Sequence, residues 1–215
     1  MGARGNWKRY ACGLIGAFAA AGVLLAATTA PSSAASPGPR YGTEGWAGYA
    51  WHTNSRQVTA SLRLPTVSGA SNAGAAFWAG FGTGPGIEQT GFSANMVADH
   101  LSYTAWYELY PAPPVGFGQA SYPGDHVTMT VVHLRGAWFK LSVRDATRHW
   151  TASVIRRAGT VTLNAAEVIV EAYGPPLARF SPVMFYNVNV RNAWAYGMPG
   201  SHVSGLGRHS FRVSG

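Results

Sequence analysis

The chain has 215 residues, 47% of them hydrophobic and only 11% charged, which is enough for one domain with a sizeable core. It carries 16 Lys+Arg against eight Asp+Glu, a formal net charge of +8. The single cysteine, Cys12, excludes a disulfide framework and leaves no thiol chemistry beyond the amino-terminal segment.

That segment reads as a secretory signal peptide over residues 1–35. Arg4, Lys8 and Arg9 form a basic start, residues 11–27 are apolar, and small residues follow with cleavage expected after Ala30 or Ala35. The alternative is a single membrane anchor, but the apolar run is short and nothing basic follows it. A lipidated cysteine would come after the run, whereas Cys12 stands near its start. The expected product is secreted and extracellular, with no membrane contact after cleavage. Removing Arg4, Lys8 and Arg9 leaves 13 of the 16 basic residues against the eight acids, a balance of +5. Apart from Arg156-Arg157 these cations are scattered, so no basic stripe argues for nucleic acid. Few carboxylates means few groups whose protonation could unfold the chain in acid. Nothing in the pattern calls for an oligomer, and a monomer is expected.

Residues 36–44 form a Pro/Gly-bearing lead-in, and a β domain is expected over 45–215. Residues 45–51 give a first strand rich in glycine and aromatics. Val58, Ala60, Leu62 and Leu64 alternate with Thr59, Ser61 and Arg63, a half-buried strand ended by Pro65. Residues 75–81 are a short apolar strand, and a glycine-proline loop then delivers Ile87-Glu88-Gln89-Thr90-Gly91. Residues 103–110 place Thr104, Trp106, Glu108 and Tyr110 on one face and Tyr103, Ala105, Tyr107 and Leu109 on the other. Residues 122–125 read as a turn. Val127, Met129, Val131 and His133 alternate with Thr128, Thr130, Val132 and Leu134, and Phe139, Leu141 and Val143 face inward after Arg135-Gly136. Further strands are expected at 150–155, 183–190 and 210–213. No stretch has a helical period, so the fold class is all-β, a single-domain sandwich or barrel.

The stretch Ala165-Ala166-Glu167-Val168-Ile169-Val170-Glu171 holds two of the eight acids inside a β-branched run. As a strand it puts Glu167, Ile169 and Glu171 on one face and Ala166, Val168 and Val170 on the other. A carboxylate on a packed face is costly unless paired or functional. The alternative is that both glutamates face water.

Other chemistries find little support. There is no G-x-S-x-G elbow, no H-E-x-x-H, and the seven histidines are spread out. Gly80, Gly82, Gly84 and Gly86 resemble a phosphate loop but no helix follows. A glycosidase pair needs carboxyls roughly 5–10 Å apart. Glu167 and Glu171 on one strand stand about 13 Å apart, so only Glu108 with Glu167 stays open. Trp106 and Tyr110 could stack on sugars or could simply be core.

Three stretches taken together resemble the glutamic peptidases known as eqolisins. They are residues 77–81 leading to Glu88-Gln89-Thr90-Gly91, residues 105–111 (Ala-Trp-Tyr-Glu-Leu-Tyr-Pro), and residues 166–171. Their order and spacing fit over about 45–193. The resemblance implies a sandwich of two antiparallel sheets, a concanavalin-like jelly roll. It implies a secreted endopeptidase acting on proteins or peptides, usually in acid, with no metal and no cofactor. It places the catalytic glutamine at Gln89 and the catalytic glutamate at Glu167. It also places Trp78, Trp106 and Glu108 along the substrate cleft. Gly82 stands where the family often has aspartate. The chemistry is coherent: a glutamate of raised pKa can take a proton from water and return it to the leaving amine. A neutral amide can donate to the oxyanion without repelling it. The alternative from another class is a non-catalytic secreted sandwich that binds carbohydrate or protein.

Overall fold

The computed structural model describes residues 46–52, 54–82, 86–97, 100–161, 163–173, 178–190, 194–197, 203–207 and 210–213. The expected signal peptide (1–35) and lead-in (36–44) lie outside these. The described residues contain strands and no helix. In chain order the strands are β1 (Trp46–His52), β2 (Gln57–Arg63), β3 (Val67–Ser68), β4 (Gly74–Gly82), β5 (Ile87–Val97), β6 (His100–Tyr110), β7 (Val115–Ala120) and β8 (His126–Arg135). There follow β9 (Trp138–Asp145), β10 (Trp150–Arg157), β11 (Ala165–Tyr173), β12 (Arg179–Phe180), β13 (Val183–Val190), β14 (Trp194–Gly197), β15 (Val203–Gly207) and β16 (Ser210–Val213).

Two seven-stranded sheets result. The first runs β14-β1-β11-β4-β5-β6-β7 and the second β10-β9-β8-β2-β13-β16-β15, with β3 and β12 as a separate ribbon. Every pairing is antiparallel. The fold is therefore the all-β sandwich that the alternation implies.

Period-two alternation builds the core. From the first sheet, Phe77, Phe81, Phe92, Val168 and Val170 point inward; from the second, Leu62, Met129, Phe139, Leu141 and Phe185 meet them. Burying each such side chain contributes roughly 1.5–3 kcal/mol. The opposite face of the first sheet is also buried along its central strands, but with a different cast. There Glu167, Gln89 and Glu108 are at most 2% exposed. A sheet face packed on neither partner sheet yet closed to water is where a site is expected.

The strands at 183–190 and 210–213 fall where the sequence puts them. Strand β5, reaching from Ile87 to Val97, is not among the strands expected from the sequence, which offers there only the residues delivered by a loop. Its outward residues Gly91, Ser93 and Asn95 carry no apolar signal, so alternation does not reveal the strand. Strand β7 was missed because Gly116 and Gly118 dilute its β propensity.

Candidate active site

Strand β11 behaves as its residues dictate. Ala166, Val168 and Val170 join the core, and Glu167, Ile169 and Glu171 take the far face. The solvent-facing alternative fails for both glutamates, which are 1% and 3% exposed.

The register then assembles the site. Glu167 pairs with Gly80, Gly80 with Gln89, and Gln89 with Glu108. Directly paired residues share a face, so one row crosses four strands as Glu167, Gly80, Gln89, Glu108. At about 4.8 Å per strand, Glu167 and Gln89 stand about 10 Å apart at the backbone, with only a glycine between them. Gly80 cannot be replaced without movement. A Cβ there would lie 2.8 Å from the Gln89 Cβ and 2.8 Å from the Glu88 carbonyl oxygen. The next row is Ile169, Trp78, Gly91, Trp106. Gly91 makes room between the two indoles: a Cβ there would sit 2.3 Å from the Phe77 carbonyl oxygen and 2.8 Å from the Trp78 Cβ. Both tryptophans are buried. Sequence reading missed both glycines as site residues, although a glycine inside an apolar strand is itself the signal of a close approach.

The polar groups in the row are unusually bare. Gln89 Nε2 donates a short hydrogen bond to Glu108 Oε2. Gln89 Oε1, Glu108 Oε1 and Glu167 Oε1 are buried with no hydrogen-bond partner among the described residues. Burial pushes Glu167 well above the usual carboxylate range. Burial also raises Glu108, to about 7, and the Gln89 hydrogen bond offsets part of that. Glu171, two residues along the same face from Ile169, is raised to about 8 by burial and then by the Glu108 charge, with Trp78 offsetting part.

Three further placements matter. Glu88 shares its face with Thr90, Phe92 and Ala94, so it points into the sandwich, away from Gln89's row. It is fully buried, both its oxygens lack partners among the described residues, and burial lifts it to about 8. Gly82 lies on the site face, and Ile87 fills the space beside it. A Cβ at Gly82 would be 2.8 Å from the Ile87 Cγ1. Glu108 and Glu167 lie three strands apart, about 14 Å at the backbone, with Gln89 between and bonded to Glu108. That separation does not suit a glycosidase pair.

The sequence pattern of the Peptidase A4 family matches residues 44–204. No curated protein sequence matches the chain. Among solved structures, scytalido-glutamic peptidase with a peptide-based transition state analog is similar at 23% identity and a TM-score of 0.68, covering 79% of this chain and 97% of that one. SCP-B, a member of the eqolisin family of peptidases in complex with the tripeptide Ala-Ile-His, is similar at 20% identity and a TM-score of 0.62, covering 79% and 97%. Aspergilloglutamic peptidase from Aspergillus niger shares 24% identity with a TM-score of 0.53, covering 66% and 98%. At these identities the solved structures show a common fold; the family pattern, spanning most of the chain, shows descent. The chain belongs to the Peptidase A4 family, the eqolisins, and is a peptide-bond hydrolase.

Proposed function

We propose that the protein is a secreted glutamic endopeptidase that works in acid, with Glu167 as general base and acid and Gln89 as oxyanion donor. The observation that carries this reading is the row itself: Glu167 and Gln89 face one another across Gly80 on a buried face. In its ionised form Glu167 takes a proton from water, and the resulting nucleophile attacks the scissile carbonyl. The protonated Glu167 then gives that proton to the leaving nitrogen. A raised pKa strengthens the base and leaves it a good donor near the working pH.

The Gln89 amide has two N–H donors, of which Glu108 accepts one. The second is free to meet the oxygen that becomes negative. Such a donor is worth about 3–4 kcal/mol in comparable sites. Glu108 thus acts as a positioning residue for Gln89, beyond the lining role implied for it by resemblance. Trp78 and Trp106 form the apolar floor on which a peptide substrate would lie. Acid operation is supported by charge: below about pH 7 Glu108 and Glu171 are neutral and add no negative charge against the oxyanion. Secretion rests on the basic and apolar pattern of residues 1–35.

The test is cleavage of a denatured protein across roughly pH 2–7, a range spanning ordinary and raised glutamate values, by the mature protein and two variants. Glu167→Gln should abolish cleavage, and Gln89→Ala should lower it about 100- to 1,000-fold, each with an unchanged circular dichroism spectrum. Full activity in either folded variant would remove that residue from the mechanism. A folded wild type that binds proteins or polysaccharides but cuts nothing would return the protein to a non-catalytic sandwich.

A further inference from the structure

The charges of this protein are sorted by depth. All six described carboxylates, Glu88, Glu108, Asp125, Asp145, Glu167 and Glu171, are buried. The nine arginines and lysines from Arg56 to Arg179 among the described residues are all exposed. Eight of the nine belong to strands of the second sheet or the segments beside them; the ninth, Arg179, is on β12. The described surface is therefore cationic; Arg148 is paired with the buried Asp125, away from the corner described next.

One corner of that sheet adds apolar groups. On the outward face of β9 and β10, Trp138 pairs with Arg157 and Lys140 pairs with Ile155. Each large apolar side chain thus has a cation across the strand pair and another along its own strand. Trp138 is 43% exposed and Ile155 52%. Strand β8 extends the patch with Leu134, 37% exposed, and Arg135, which pairs with Trp138. Strand β10 is the edge of its sheet, so Arg156 and Arg157 also discourage strand addition. That role gives no reason for Trp138 and Ile155 to stand in water beside them.

We propose that this corner, Leu134, Arg135, Trp138, Lys140, Ile155 and Arg157, docks the protein onto an anionic lipid surface. Cations alone would suit any polyanion. The interleaved tryptophan and aliphatic side chains match the boundary between headgroups and acyl chains, where an aromatic ring is at home and arginine or lysine reaches the phosphates. The patch lies on the outer face of the second sheet, and the Glu167 row lies on the outer face of the first. Docking therefore does not cover the face that carries the Glu167 row. The inference is independent of the assignment of Glu167 and Gln89.

The experiment is sedimentation of the mature protein with vesicles of phosphatidylcholine alone or mixed with phosphatidylglycerol, at low and high salt. Wild type should bind the mixed vesicles, bind neutral ones far less, and be released by salt. Lys140→Gln and Arg157→Gln should each weaken binding about fivefold. Trp138→Ala should weaken it at least as much and lose quenching by brominated lipid. Melting temperature should be unchanged in all three, since each side chain is exposed. Absence of binding to mixed vesicles overturns the proposal. So does Trp138→Ala binding as wild type while the charge variants fail, or equal retention of wild type and Trp138→Ala on soluble polyphosphate. Either result would make the corner a plain polyanion contact.

Discussion

At the scale of single residues, two positions outside the proposed dyad shape the site, Glu108 by what its side chain holds and Gly80 by having none. Glu108 holds the Gln89 amide from the side away from Glu167. Glu108→Ala should leave Gln89 free to turn, and kcat should drop about 10- to 100-fold with KM little changed, the signature of an interaction made in the transition state. Glu108→Gln keeps an oxygen to accept the hydrogen bond. It should recover most of the rate and remove any inflection near pH 7 from the pH profile, because the group raised to about 7 is gone. If the alanine variant keeps the wild-type rate, Glu108 has no positioning role. Gly80 is the second. Gly80→Ala drives a methyl to within 2.8 Å of the Gln89 Cβ. Activity should fall at least 100-fold even where the fold survives, since a displacement near 1 Å at a reacting group can cost that much. A crystal structure of the variant should show Gln89 displaced from the row.

At the scale of elements, alternation made much of the site legible. The faces of β11 and β6 follow from period two alone, and they put Glu167 opposite its apolar neighbours and Glu108 beside Trp106. What alternation cannot give is register between strands distant in the chain. That Glu167 meets Gly80, and that Gly80 meets Gln89, is fixed by core packing of Phe77, Phe81, Phe92 and Val168. The direction of Glu88 was open for the same reason, because the strand around it looked like a loop. The ends of elements were equally opaque. Asp145, fully buried at the end of β9, accepts from Ser121 Oγ at 2.6 Å and from the Arg148 backbone N–H at 2.9 Å. Asp125 accepts from the Tyr122 N–H at 2.8 Å and from Arg148 Nε at 3.0 Å. This knot ties the β7–β8 connection to the β9–β10 turn. Asp145→Ala strands two donors, each costing about 1–3 kcal/mol. Its melting temperature should drop by several degrees while the pH profile of cleavage keeps its shape. A melting temperature equal to wild type would show that the knot is dispensable.

At the scale of the whole molecule, four of the eight acids are buried glutamates with raised values, and this fixes how stability responds to pH. Glu88 and Glu171 are lifted to about 8, Glu108 to about 7, and Glu167 well above its ordinary range, in each case chiefly by burial. In the unfolded chain these groups titrate near the ordinary glutamate value of 4.5. Below that value both states are protonated, and the stability the neutral groups permit is fully present. Between about 4.5 and 8 the unfolded chain has released protons that the folded chain still holds. The folded state then binds more protons, so stability falls as pH rises. This is opposite to the usual acid denaturation of proteins whose carboxylates are paired. The melting temperature of the Glu167→Gln variant, chosen to suppress the proposed self-digestion, should therefore decline steadily from pH 4 to pH 8. Unfolding at pH 6 should release protons, measurable by calorimetry in buffers of different ionisation enthalpy. Glu88→Gln, introduced into that variant, separates cause from coincidence. Glu88 faces the sandwich interior and takes no part in the Glu167 row, so replacing it should flatten the decline without disturbing the site. A melting temperature that rises over this pH range would mean that the buried glutamates are ionised in the folded protein. The proposed acid preference would then lose the support it draws from Glu108 and Glu171.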